Sequence, residues 1–128
     1  GLAFATGTSW GTFGILIPIA VAVFGDSATT MLVMTVAACL SGAVCGDHIS
    51  PISDTTILAS AGAQCHHIDH VSTQLPYVGV VATCSFFGYI VDGLTENGWL
   101  GLLTGIICLA IAMVIIRARV PVIDAEKD

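Results

Sequence analysis

Four apolar stretches, separated by short polar segments, make up most of the chain. The stretch over residues 13–24 is too short to cross a bilayer core of about 30 Å at 1.5 Å per residue. The two stretches nearest the C-terminus are long enough to cross it. The pattern therefore predicts a half-length helix over 13–24 and two complete transmembrane helices, over 75–92 and 99–117.

The remaining apolar stretch is interrupted. Apolar residues over 28–44 meet a polar run with helix-breaking residues, and apolar character returns only over 57–63. The second piece is too short for a complete helix, which disfavours an external loop between two full helices. Irregular backbone is tolerated within a membrane where it is buried in protein or lines a cavity. We therefore predict one discontinuous helix over 28–65.

The amino-acid composition indicates which class of protein the chain belongs to. Of its residues, 55% are hydrophobic and only 9% are charged, whereas soluble domains average about 25% charged residues. Three basic residues against nine acidic ones offer no basic surface for nucleic acid. The predicted fold is an all-α polytopic membrane protein, with the lipid bilayer as its first partner.

Charge also predicts the orientation. All three basic residues follow the last apolar stretch, which puts the C-terminus and a tail over 118–128 in the cytoplasm. The acidic turn over 92–98 then lies on the outer side of the cell membrane. The chain opens at Gly1 without a signal-peptide pattern. We expect it to be the C-terminal piece of a longer protein, whose upstream half supplies the rest of any site.

A first polar motif immediately precedes the half-length helix. Its glycines permit unwound backbone, and its hydroxyls are hard oxygen donors suited to a cation such as Na⁺. The alternative interpretation is a Ser/Thr cap on an ordinary helix start. The candidate binding residues in this motif are Thr6, Gly7, Thr8, Ser9 and Thr12.

A second polar motif, Gly46–Thr56, interrupts the discontinuous helix. Ionisable residues inside membrane segments are functional candidates, because burying them costs about 2.5–3.5 kcal/mol or more. The alternative is an external loop. The candidates here are Asp47, His48, Ser50, Ser53, Asp54, Thr55 and Thr56. Two interrupted segments whose broken ends meet near the midplane indicate a secondary-transporter site, where helix N-termini suit anions and freed carbonyls suit Na⁺.

The strings FATGTSWGTFGI and GDHISPISDTT, with the sequence up to Tyr77, resemble the NhaC-type Na⁺/H⁺ antiporter family. Relatives in that family couple Na⁺ and H⁺ to malate–lactate exchange. The resemblance implies two inverted repeats, each with a re-entrant hairpin and a broken helix. On this analogy, residues 6–12 form the hairpin tip of the second repeat, and residues 46–56 form its broken-helix linker.

A mechanism follows as a hypothesis. A partly desolvated Asp can hold a proton or help to hold Na⁺, and competition for one carboxylate couples the two ions. Asp54 is the first choice, because hydroxyls flank it on both sides, and Asp47 is the second; either would ligate Na⁺. His48 either relays a proton or bonds an unwound carbonyl. Such an antiporter is no enzyme and needs no cofactor, and a homodimer is left open.

Other functions are compatible with parts of this pattern. The closest is an exchanger of organic anions or amino acids coupled to Na⁺ or H⁺. An intramembrane aspartyl protease would need Asp47 and Asp54 to share a proton about 3 Å apart, and a non-catalytic subunit leaves the buried acids unexplained. The segment Cys65–His70 could bind zinc through His66 and His70, or form a pH-sensing cytoplasmic loop. The five cysteines match no disulfide framework.

Overall fold

The computed structural model describes residues 1–25 and 29–119. This part of the chain is helical and contains no strand. The order is α1 (Leu2–Thr6), α2 (Ser9–Phe24), α3 (Thr29–Ile49), α4 (Asp54–Gly62), α5 (His67–Thr95) and α6 (Gly98–Arg119). Helices α3, α5 and α6 are each long and apolar enough to cross a bilayer. The predicted class, an all-α polytopic membrane protein, is confirmed.

The helices pack around α3 and α5. Helices α5 and α6 form an antiparallel pair, and α3 packs against α1, α2 and α5. Small residues allow close approach: a Cβ added to Gly88 would lie 3.0 Å from the carbonyl oxygen of Gly101. Between α3 and α5, the Tyr89 hydroxyl donates to the Ala37 carbonyl at 3.2 Å and accepts from Ser41 at 2.9 Å. These contacts hold together the helices that contain or adjoin both polar motifs.

The break before the half-length helix is shorter than predicted. Helix α2 begins at Ser9 instead of residue 13, because the Thr8 side chain caps it by accepting the Gly11 N–H at 3.2 Å. The non-helical part of the first motif is thus Gly7 and Thr8 alone. Helix α1 ends there because Gly7 adopts the left-handed conformation, at φ 66°.

Helix α5 is longer than the predicted span over 75–92. At its polar ends, hydroxyl side chains bond back to carbonyls one turn earlier, as Thr73 does to Asp69 at 2.8 Å and Thr95 to Val91 at 2.7 Å, which satisfies these side chains within the helix. A hydropathy profile does not show that such polar residues are helical, so the span predicted from it is too short.

The predicted acidic turn over 92–98 shrinks to Glu96 and Asn97. Glu96 is left-handed, at φ 50°, and the Asn97 side chain accepts the Trp99 N–H at 3.1 Å. Helix α6 likewise extends the predicted span over 99–117 by one residue before and two after. Of the predicted tail, residues 118 and 119 end α6, while 120–128 lie outside the described residues, as does residue 28 of the predicted discontinuous helix.

Candidate functional site

The discontinuous helix is broken at four residues, Ser50–Ser53, called the linker below. Pro51 carries no N–H and sterically disfavours a helical conformation for Ser50, so α3 ends at Ile49. The linker remains compact, because the Ser50 N–H donates to the Asp47 carbonyl at 3.1 Å and the Ser53 N–H donates to the Ser50 carbonyl at 3.3 Å. Helix α4 then starts at Asp54.

Asp47 lies in the last turn of α3 and is only 4% exposed. Its Oδ1 accepts the Ser53 hydroxyl at 2.7 Å, and Thr55 Oγ1 lies 3.5 Å from its Oδ2. The Ser53 and Thr55 hydroxyl oxygens are themselves 2.7 Å apart. Ser53 is completely buried. The result is a buried carboxyl group faced by two hydroxyls from the start of the next helix.

Ser53 occupies the N-cap position of α4 with an extended backbone, yet its side chain makes no capping bond. A serine there normally accepts a free N–H of the first turn. This hydroxyl instead donates to Asp47, so Ser53 contacts the buried acid and does not cap α4. The positive N-terminal end of α4 also lies next to that acid.

Asp54 has a different setting. Its side chain is exposed, and its Oδ1 accepts the Thr55 N–H at 2.8 Å, so it satisfies a free backbone donor of α4. Residues with acidic side chains are common in a first helical turn for this reason. From the sequence, Asp54 is the first candidate for the carboxylate shared by Na⁺ and H⁺, and Asp47 is the second. The burial of Asp47 and its contacts with two hydroxyls favour the opposite order.

The other buried residues of the second motif hold the linker in place. Thr56 donates to the His48 carbonyl at 3.0 Å, which satisfies a carbonyl freed at the end of α3. Ser50, completely buried, donates to the Phe4 carbonyl of α1 at 2.8 Å. The linker is therefore tied to α3, α4 and α1 together.

The structure brings the two polar motifs into contact through backbone. A Cβ added to Gly7 would lie 2.9 Å from Ile52 Cγ1 and 3.0 Å from the Ile52 carbonyl oxygen. A Cβ added to Gly46 would lie 3.0 Å from both Ala3 Cβ and the Phe4 nitrogen. Such spacing leaves room only for glycine, so α1 and the turn after it lie directly on the linker.

The hydroxyls of the first motif make local bonds. Thr6 donates to the Leu2 carbonyl at 2.9 Å, and the buried Thr12 donates to the Thr8 carbonyl at 2.9 Å. Ser9, half-buried, begins α2. The helix-cap interpretation thus describes Thr8, while Gly7 provides the contact with the linker.

His48 is exposed, and its Nδ1 lies 3.2 Å from the Val44 carbonyl of the preceding turn. The carbonyl it bonds is a helical one, not one of the unwound segment. Its ring borders a cavity of about 970 Å³ between α3 and α5, which Gln74 and Tyr77 also line. His48 therefore faces the cavity, while Asp47 faces the linker.

His67, which the sequence placed in a loop cluster, is a structural contact of the linker. Its Nε2 lies 2.7 Å from the Pro51 carbonyl oxygen, and its Nδ1 lies 3.0 Å from the hydroxyl of the buried Ser60. His67 is the first residue of α5, so the linker lies at the end of the bundle where α5 begins. The predicted position of the linker near the membrane midplane stays a prediction.

The Cys65–His70 segment gains no support as a metal centre. Within residues 1–25 and 29–119, no three His, Cys, Asp or Glu side chains gather in a geometry that would hold an ion. His66 is exposed, and His67 is engaged with the linker. The cysteines of the described part are free.

The chain is similar in sequence to known proteins along most of its length. A family model described as the Na⁺/H⁺ antiporter family matches residues 1–94. An uncharacterized protein of Haemophilus influenzae is 52% identical over 118 residues, which cover 92% of this chain and 23% of that protein. The malate-2H⁺/Na⁺-lactate antiporter of Bacillus subtilis is 41% identical, over 63% of this chain and 17% of its own.

The arginine/ornithine antiporter ArcD of Halobacterium salinarum is 40% identical, over 76% of this chain and 20% of its own. No solved structure matches the chain. The chain spans about a fifth of the length of the curated relatives it matches.

Proposed function

The chain belongs to the Na⁺/H⁺ antiporter family, and on that premise we propose that its protein exchanges Na⁺ for H⁺ across the cytoplasmic membrane, with Asp47 as the carboxyl shared by the two ions. It is a multi-pass membrane protein of an antiporter family. The observation that carries the proposal is the burial of Asp47 against the Ser53 and Thr55 hydroxyls.

The chemistry of exchange follows from this burial. A carboxylate kept from water without a positively charged partner is costly, and in this proposal a proton or a cation neutralises it. Carboxylate and hydroxyl oxygens are hard donors that suit Na⁺. The Ser53 hydroxyl donates to Asp47 at 2.7 Å and keeps lone pairs for a cation. Since one site holds either ion, and only the loaded carrier changes sides, Na⁺ and H⁺ move in opposite directions.

The neighbouring elements have supporting roles in this proposal. Helices α1 and α2 act as the re-entrant arm of the second repeat, joined to the linker at Gly7 and Ser50. Asp54 and the hydroxyls of the first motif are additional ligand candidates, and an upstream half supplies the remaining donors. Arg117 and Arg119 lie in the last turn of α6, at the end of the bundle where α5 starts, so the positive-inside tendency has the linker end facing the cytoplasm.

Replacing His67 with Ala is expected to weaken the apparent affinity for Na⁺ by about fivefold to tenfold. The substitution leaves the Pro51 carbonyl without its donor, and a lost hydrogen bond of about 1–1.4 kcal/mol corresponds to that factor. The measurement is the Na⁺ concentration that half-saturates exchange in vesicles containing the full-length protein.

The neighbouring His66 provides the matched control for that variant. Its side chain is exposed, so His66→Ala should leave the Na⁺ dependence unchanged. Equal effects of the two substitutions would show that the position of the linker does not depend on His67.

A second candidate function is Na⁺- or H⁺-coupled exchange of an organic acid or amino acid. It is favoured by the open cavity of about 970 Å³ between α3 and α5, where the Oε1 atom of Gln74 is buried without a hydrogen-bond partner among the described residues. His48 and Tyr77 line the same cavity. Two matched relatives carry the names of organic-substrate antiporters.

Proteoliposomes that contain the full-length protein and a pH-sensitive dye separate the two candidates. For Na⁺/H⁺ exchange, an inward Na⁺ gradient alone drives proton efflux. For the second candidate, protons move only after malate, lactate, arginine or ornithine is added. Absence of Na⁺-driven proton movement with and without these compounds would contradict both.

A further inference from the structure

Asp92 is a second buried acid, at the opposite end of the helix bundle from the linker. It lies near the C-terminal end of α5 and is 8% exposed. Its Oδ1 is buried and has no hydrogen-bond partner within the described residues. Buried polar atoms of folded proteins nearly always have such a partner. The carboxyl group of Asp92 therefore lacks a donor that the described part of the chain does not supply.

The basic side chains of the described residues lie too far away to be that donor. Asp92 sits beside the start of α6, since a Cβ added to Gly98 would lie 3.8 Å from its Oδ1. Arg117 is 19 residues further along α6, roughly 29 Å at 1.5 Å per residue. His67, at the other end of α5, is roughly 38 Å away by the same measure. Lys127 lies outside the described residues.

Asp92 and Gly98 line two adjoining cavities, one of about 360 Å³ between α5 and α6 and one of about 450 Å³ that also borders the start of α3. Together they are called the Asp92 crevice below. Its wall on α6 includes Leu102, Gly105 and Ile106, and no atom lies within 4 Å of a Cβ added to Gly105. Because small residues let membrane helices approach each other closely, the crevice has a shape that accepts a further helix.

The occupant of the crevice is identified by the donor it must bring. Lipid acyl chains offer no hydrogen-bond donor, whereas Arg and Lys donate to carboxylates in strong, charge-assisted bonds. The matched parts of the curated relatives make up 23%, 17% and 20% of those proteins. In a protein of that length, most helices that surround these six belong to the same polypeptide. A permanently buried acid is paired at all times only by such a permanent neighbour.

We propose that the Asp92 crevice is the docking site of another membrane helix of the same polypeptide, from outside residues 1–128, and that Asp92 pairs with an Arg or Lys of that helix. Charged residues of membrane segments almost always face the bundle interior and pair with one another. The docked helix would run along Leu102 and Ile106 of α6 and would hold α5 and α6 against the rest of the protein. This role does not depend on which ion Asp47 binds.

Photo-cross-linking of the full-length protein in lipid tests the docking site. The photoreactive residue p-benzoylphenylalanine replaces Leu102, which lines the crevice, or Leu103, which is equally exposed and does not line it. Position 102 is expected to cross-link within the monomer to a peptide outside residues 1–128, and this product is expected to be lost at position 103. Lipid adducts alone at position 102, a cross-linked dimer, or equal yields from both positions would overturn the proposal.

Ile106 and Ile107 are a second matched pair, for the case in which the variant at Leu102 fails to fold. Ile106 lines the crevice and Ile107 does not, although their exposure is similar. The same products are expected from position 106 and not from position 107, and the same outcomes would overturn the proposal.

The cross-linked peptide also tests the charge pair, because its sequence is expected to contain an Arg or Lys. Asp92→Asn and the change of that basic residue to Gln should each lower the melting temperature of the purified protein, while the double variant should lose no more than the worse single one. Asp69→Asn, on the exposed first turn of α5, should leave it unchanged. A peptide without Arg or Lys, or additive losses, would contradict the pairing. Neither readout involves transport, so a negative result here is distinct from a failure of Na⁺/H⁺ exchange.

Discussion

Replacing Asp47 with Asn is expected to lower Na⁺-driven proton movement at least about a hundredfold, with each tenfold step worth about 1.4 kcal/mol. Asn keeps the size of the side chain and still accepts the Ser53 hydroxyl, so the linker is expected to fold. It can neither take up a proton nor balance the charge of Na⁺. The measurement is dye-monitored proton flux in everted vesicles at equal protein content.

Two other Asn variants are the controls for Asp47→Asn. Asp54→Asn alters an exposed side chain at the start of α4 and should reduce flux less than about tenfold, since it loses mainly a first-turn charge worth about 0.3–1 kcal/mol. Asp69→Asn, on the exposed start of α5, should leave flux unchanged. Wild-type flux in Asp47→Asn, or a larger loss in Asp54→Asn, would move the shared carboxyl away from Asp47.

Gly7→Ala is expected to reduce exchange by at least about tenfold although the change adds only one methyl group. Gly7 has φ 66°, a conformation that costs an L-residue roughly 1–2 kcal/mol. The new Cβ would also lie 3.0 Å from the Ile52 carbonyl oxygen, so the turn and the linker must separate. Flux per inserted protein molecule measures the effect, with insertion checked by a C-terminal tag.

Gly14→Ala is the matched control for Gly7→Ala. Gly14 lies within α2, no atom is within 4 Å of an added Cβ, and Ala is the better helix former. This variant should transport normally and be no less stable. If Gly7→Ala also transports normally, the contact between the two motifs has no role in exchange.

The fold class could be predicted from sequence because the hydropathy and the length of a segment show whether it can form a helix that crosses a membrane. The break in the discontinuous helix was also visible, since Pro51 disfavours a regular helix and the hydroxyl-rich residues around it are poor helix formers. Helix ends were predicted less well. Ser9, which follows the capping residue Thr8, and Thr73 both lie in helices, although they stand outside the apolar stretches.

The choice between Asp47 and Asp54 could not be made from sequence. Both acids are flanked by polar residues, and which one is buried depends on where α3 ends. The role of His67 depends on its contact with Pro51, a residue distant in the chain. Periodicity within one segment contains no information about such contacts.

Proton release on Na⁺ binding tests the shared carboxyl most directly. Calorimetric titration of the purified full-length protein with NaCl, in two buffers of different ionisation enthalpy, counts the protons released per Na⁺ bound. The account predicts that Na⁺ displaces a proton from the wild-type protein and that this release is lost in Asp47→Asn. Na⁺ binding without proton release at every pH tested, or undiminished release from Asp47→Asn, would contradict it.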